Sequence, residues 1–149
     1  MNSTSVYAIY LICMMITSSF PIMYLLEAEG DQRSFEGGSG TEKDPYLVED
    51  ILDLQAIVDD LTANYALVND IDAKETENLN DGAGFLPVGN EFNPFNGSFD
   101  GRGHTITGLS IDRGSTKFIG LFGYVLGGRI GNVVLSDVNI TGYTFTGPL

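Results

Sequence analysis

His104 is the single histidine of the chain and lies in Asp100-Gly101-Arg102-Gly103-His104, where an imidazole beside a carboxylate could act as a general base. No serine, cysteine or second histidine completes a nucleophilic arrangement. The paired glycines favour a tight turn, with Asp100 bonding local backbone and His104 packing at a strand start. Asp70, Asp72, Glu75, Glu77 and Asp81 could be imagined as a calcium site, but they lack the Asp-x-Asp-x-Asn-Gly register of a dedicated loop and read as a solvated acidic loop. Paired carboxylates also serve glycosidic hydrolysis. With 20 acids in the chain, close pairs are expected by chance, and no pocket signal singles one out. Gly38-x-Gly40 and Gly101-x-Gly103 do not extend to a dinucleotide fingerprint, and no Gly-Lys-Ser/Thr comes after them. Phe92, Phe95 and Phe99 could form a carbohydrate platform, although such a cluster is more often core closure. No catalytic, cofactor-binding or metal-binding residue is assigned, and no cofactor is expected.

The elements that must position these residues fall into three zones of a 149-residue chain. Residues 1–26 carry no charge; Glu27 to Asp100 hold 18 acids against three bases; Gly101 to Leu149 hold two acids against four bases. The net charge of −13 excludes a nucleic-acid partner, which needs clustered Lys and Arg, and argues against an anionic membrane surface. A hydrophobic content of 43% is too high for a disordered acidic tail. Of the 19 glycines, 15 stand at or after Gly82, which points to many turns late in the chain.

Val6 to Leu26 is an apolar run broken by Thr17-Ser18-Ser19 and Pro21, and Ala28-Glu29-Gly30 offers small residues for cleavage before Asp31. Residues 1–30 therefore read as a signal peptide or membrane anchor. The absence of Lys or Arg before the run and its length keep the anchor open, since about 20 apolar residues span a bilayer. Both readings export the chain from residue 31 onward, to the cell surface or the extracellular space. A buried core helix fits poorly at the extreme N-terminus of so small a chain. Cys13 lies inside this leader, so no disulfide is expected in the exported part. A lipobox at Tyr10-Leu11-Ile12-Cys13 fails on the bulky residue before the cysteine.

Residues 31–47 read as a flexible lead-in and first strand, Tyr46-Leu47-Val48. A capping helix is expected within 48–62, starting at about 50, because Ile51, Leu54, Ile57, Val58 and Leu61 share one helical face. Acids at 49, 50 and 53 suit its positive N-terminal end, whereas Asp59 and Asp60 read as a solvated face. A strand is expected at Tyr65-Ala66-Leu67-Val68. Beyond it, 63–149 read as stacked strands. Gly103-His104-Thr105-Ile106-Thr107-Gly108-Leu109-Ser110-Ile111 has an echo 24 residues later, matching Ile106 with Ile130, Gly108 with Asn132, Leu109 with Val133 and Ile111 with Leu135. Alternating apolar residues with Gly or Asn turns at such a repeat are the signature of an all-β solenoid, and the spacing fits a parallel β-helix.

Phe92-Asn93-Pro94-Phe95-Asn96-Gly97-Ser98-Phe99-Asp100-Gly101-Arg102-Gly103-His104-Thr105-Ile106, then Gly108-Leu109-Ser110-Ile111, resembles a stretch of adhesin-like surface proteins. Gly120-Leu121-Phe122-Gly123, within Ile119 to Tyr124, is similar to the GLUG motif of the same group, and Ile130-Gly131-Asn132-Val133 to Asn139-Ile140-Thr141-Gly142 is similar to the run that usually succeeds that motif. Upstream, Gly40-Thr41, Asp44-Pro45-Tyr46, Asn69-Asp70-Ile71-Asp72 and Phe85-Leu86-Pro87-Val88-Gly89 resemble the group's N-terminal approach. The likeness covers about residues 35–149. It implies a right-handed parallel β-helix on a secreted or surface-attached protein, with no catalytic residues carried by the motif. Gly147-Pro148-Leu149 resembles the opening of a second motif, with Leu149 standing 28 residues after Leu121, so the solenoid is expected to be incomplete, a truncated member or a fragment.

These readings converge on an exported, adhesin-like structural or binding module that is not an enzyme, with an unidentified carbohydrate or protein ligand. Membrane contact is expected through an uncleaved leader alone. The acidic face would aid solubility and tolerance of high salt. The alternative is a β-helical carbohydrate-active enzyme, or an accessory domain of a secreted hydrolase or peptidase. Asn96 and Asn139 head N-glycosylation sequons.

Overall fold

Strands of three or four residues cannot persist alone, so segments such as Thr105-Ile106-Thr107 form only where other strands flank them. A computed structural model describes residues 35–148. The leader, its signal-peptide and anchor readings and Cys13 lie outside the described residues. The described part is mostly β-strand with one short α-helix, an all-β fold. Its strands are β1 (Tyr46–Val48), β2 (Asn64–Leu67), β3 (Ile71–Asp72), β4 (Ser98–Asp100), β5 (Thr105–Thr107), β6 (Ser110–Ile119), β7 (Arg129–Gly131), β8 (Val134–Ser136) and β9 (Asn139–Thr146). The helix, α1, spans Ile51–Ala56. Every pairing between named strands is parallel, in three sheets of order β1-β2-β4-β7, β3-β5-β8 and β6-β9. The strands expected at Tyr46–Val48 and near Tyr65–Val68 are present, the second one residue earlier.

The pairing corrects the expected repeat. Ile106 lies opposite Leu135, not Ile130, and Ile130 lies opposite Phe99. Ile111 lies opposite Ile140 rather than Leu135. The 24-residue echo compared β5 and β6 with β7 and β8, one sheet out of phase. Each strand carries the same short alternating pattern, so neighbours along the chain resemble one another as closely as true partners do. A second cause is unequal turns: residues 101–104 join β4 to β5, whereas Asn132 and Val133 alone join β7 to β8. The left-handed backbone expected at the Gly108 and Asn132 turns is present, with φ of 77° and 55°. By register, however, the turn residue answering Gly108 is Asp137, at φ 51°.

The helix is shorter than the expected span of about 50 to 62. Asp50 caps it, accepting from the Leu52 and Asp53 amides at 2.8 and 2.9 Å, while the buried Asp53 carboxylate accepts the Glu49 amide at 3.0 Å. A 3-10 turn over Ile57–Asp59 ends it. Asp60 is extended, and its carboxylate takes both the amide and the hydroxyl of Thr62, at 2.9 and 2.7 Å. That local alternative to a helical backbone stops propagation. Leu54 and Ile57 of the anticipated face are fully buried, with Ile51, Val58 and Leu61 packed beside them.

Parallel register puts like residues over like. Tyr46, Tyr65, Phe99 and Ile130 succeed one another across one sheet; Ile71, Ile106 and Leu135 do so across the second, and Ile111 and Ile140 across the third. The lead-in folds back onto this edge: Phe35 stacks on Tyr46 at 4.8 Å, and Gly37 and Gly40 carbonyls accept the Leu47 and Asn64 amides. Ile106 is covered on both sides by its ladder neighbours, whereas Val134 points outward and is half exposed. Ile106→Ala is therefore expected to lower unfolding free energy in urea by about 2–5 kcal/mol. Val134→Ala should cost no more than about 0.5 kcal/mol in the same titration, and equal losses at the two sites would contradict the ladder.

Candidate functional site

The segment Gly120-Leu121-Phe122-Gly123 comes directly after β6 and is held by backbone on both sides. Val88 donates to the Leu121 carbonyl at 2.9 Å and Gly123 donates to the Val88 carbonyl at 2.8 Å, while the Leu121 amide reaches the Pro148 carbonyl at 3.1 Å. Leu121 is fully buried, and Phe122 sits against Phe95 and Phe99 with ring centroids at 5.0 and 5.3 Å. Crowding, not φ, requires the two glycines. A Cβ on Gly120 would lie 2.5 Å from the Gly147 carbonyl oxygen, and one on Gly123 would lie 2.6 and 2.8 Å from those of Gly89 and Phe118. Gly147 and Pro148 lie beside Gly120 and Leu121, as the expected second opening would place them; Leu149 is outside the described residues. The motif presents packing surface and no reactive group.

His104 meets a carboxylate, but it belongs to Asp70. Its Nδ1 stands 3.3 Å from Asp70 Oδ1, which also accepts the Thr105 amide at 2.9 Å. Asp70 ends the loop after β2, and its bonds tie that loop to the start of β5. The Thr105 amide, then the His104 ring, hold the Asp70 carboxyl below the usual aspartate range. Among the described residues no serine, threonine or cysteine side chain bonds His104, so the pair orients a turn. Asp100 has the turn role expected of it. It accepts the Arg102 amide at 2.9 Å, where Arg102 adopts φ 50°, and the Asn132 side chain at 3.0 Å, and these bonds likewise lower its pKa. The Asp70 partnership was not legible in the sequence, because 34 residues separate it from His104 and no spacing rule links them.

The remaining acids are dispersed. Asp70, Asp72, Glu75, Glu77 and Asp81 are all exposed, with Asp72 facing Lys74 at 3.6 Å, and among the described residues no three such side chains converge as metal ligands. Phe95 and Phe99 are core residues, while Phe92 is 84% exposed, so the expected platform is not a cluster. A shallow groove of about 490 Å³ lies between residues 58–62 and 86–93, walled by Asp59, Asp60, Asn90 and Asn93. The Asn90 side-chain oxygen is engaged by the Phe92 and Asn93 amides, and Asp60 by Thr62. Burial raises the Tyr65 phenol, which donates to the Asp60 carbonyl at 2.7 Å. Asn96 and Asn139 are both exposed. One aromatic feature went unread: Phe118 and Phe145, 27 residues apart and both at positive φ, stack at 5.0 Å and 5°, with Tyr124 edge-on to Phe118.

No family model matches the chain, and no solved structure matches it. Two curated proteins are similar. One is halomucin of Haloquadratum walsbyi, 44% identical over 114 residues, an alignment covering 70% of this chain and 1% of halomucin. The other, from Evansella cellulosilytica, is named as a Gly-rich membrane protein and is 38% identical over 124 residues, covering 80% of this chain and 14% of its own. The chain thus spans a small part of the length of these relatives. Among the described residues no helix is long and apolar enough to cross a membrane.

The turn geometry has two measurable consequences. Gly123→Ala forces a Cβ against two carbonyl oxygens and should cost about 1–3 kcal/mol, whereas Gly131→Ala meets open space and should stay within about 0.5 kcal/mol. Asp70 and Asp100 have folded-state pKa values below their unfolded ones. Their contribution is complete above the unfolded value and is lost as pH falls through the folded one. Thermal midpoints should hold from neutral pH down to about 4, then drop. Asp70→Asn with Asp100→Asn should flatten that acid limb, and an unchanged limb would contradict the assignment.

Proposed function

We propose that this chain is a non-enzymatic structural module of an exported, cell-surface protein, a right-handed parallel β-helix of the GLUG-motif, adhesin-like kind that acts as a spacer or display scaffold. The observation that carries this reading is the register. β7, β8 and β9 succeed β4, β5 and β6 in the same order, each joining the sheet of its predecessor in parallel. A chain wound in that manner adds length at a fixed cross-section, with each new layer burying its aliphatic residues on the last. Backbone pairing and packing occupy the motif residues, leaving them no chemistry to perform.

Surface location is supported by the apolar, uncharged start of the sequence and by a relative named as a membrane protein. The acidic first half suits a solvent-facing scaffold and fits similarity to a protein of Haloquadratum walsbyi. Any ligand, carbohydrate or protein, would bind outward side chains of the scaffold. Treating intact source cells with a non-penetrating protease should cleave exposed loops such as the one around Phe92, and leave a cytoplasmic marker whole. Full protection of the chain until the cells are lysed would contradict export.

A further inference from the structure

We propose that the outer edges of β7, β8 and β9 form a self-association surface, and that its occupant is the same face of a second copy of this chain. Each of the three is the last strand of its sheet among the described residues. The Val134 and Asn139 amides bond the carbonyls of His104 and Leu109 in the preceding layer. The alternate amides, at Leu135 and Ile140, therefore point to the unpaired side. Ile130, Leu135 and Ile140 continue the ladders of Phe99, Ile106 and Ile111. The inner three are fully buried, while the outer three are only partly covered, a difference of one layer of atoms. The Phe118–Phe145 stack is open in the same direction, leaving Phe145 69% exposed. Open strand edges flanked by half-covered aliphatic side chains fit another edge of the same kind.

Charge selects both the partner copy and its orientation. Residues 35–100 carry 15 Asp and Glu against Lys43 and Lys74, whereas residues 129–146 carry Arg129 and Asp137 alone. The acidic half includes β1, the opposite edge of the largest sheet. Joining two copies through the nearly neutral β7–β9 face keeps their acidic halves far apart. That contact is isologous, so it closes at a dimer. The strand lengths fix the match. A two-fold axis in the plane of the face lets one strand pair with itself antiparallel and exchanges the other two. With β9 self-paired, β7 and β8 face each other at three residues each, and no other choice matches lengths. This matching rests on the wound β-helix reading; the open edges and the charge division do not.

Analytical ultracentrifugation of the full chain, as recovered from cells and dispersed in mild detergent, tests the proposal. A mass twice that of the chain is expected at micromolar concentration. Val134→Lys with Tyr143→Lys places charge on outward, exposed positions of the face and leaves the inward ladders intact; it should weaken the dimer by roughly 100-fold. Leu52→Lys, on the exposed side of α1, should leave the dimer unchanged. A monomer, an open-ended polymer, or a dimer that survives the double substitution would each overturn the proposal, as would extra polypeptide covering the face. Infrared spectra separate the two levels: a parallel-β band with a monomer sinks the dimer alone, and absence of that band sinks the β-helix reading beneath it.

Discussion

Parallel backbone pairing is the interaction on which everything else here depends. Most of the strands have two to four residues, and such strands gain stability only from neighbours on either side. Each layer supplies the next with hydrogen-bond partners and with a row of aliphatic side chains set at the same points of the cross-section. Ile106, between Ile71 and Leu135, shows the coupling: its backbone pairs and its side-chain burial come from the same two strands. Because packing and pairing are fixed together, a slip by one residue would turn the whole ladder outward.

The turns make that register possible, and they explain where the polar residues are spent. Arg102, Asn132 and Asp137 adopt left-handed backbone without being glycine, which costs on the order of 1 kcal/mol each. Asp100 offsets part of that cost by bonding the Arg102 amide and the Asn132 side chain together, one turn to the next. Asp70 does the same for the start of β5. The carboxylates that resemble catalytic groups in the sequence are thus turn-holding groups, and the His104 imidazole is held beside one of them.

Local features were readable from the sequence because their causes are local. The Asp50 cap, the buried face of α1, the Asp100 turn and the strand at Tyr46–Val48 each depend on residues within a few positions. The correct layer spacing was not readable. It depends on the lengths of intervening turns, and the two-residue difference between the β4–β5 and β7–β8 connections shifts partners without disturbing the apolar pattern. The end of α1 was missed for another reason: Leu61 continues the helical face, yet the Asp60 side chain competes for the backbone at that point. Long-range pairs such as Asp70 with His104 and Phe118 with Phe145 need the register before they can be seen at all.

The register itself can be measured by paired cysteines in a Cys13→Ser background. Thr107 and Ser136 are register partners with side-chain oxygens 2.9 Å apart, whereas the 24-residue repeat would pair Thr107 with Gly131. Under mild oxidation, Thr107→Cys with Ser136→Cys should form an intramolecular disulfide identifiable by peptide mass. Thr107→Cys with Gly131→Cys should remain reduced. Crosslinking of the second pair and not the first would contradict the fold described here.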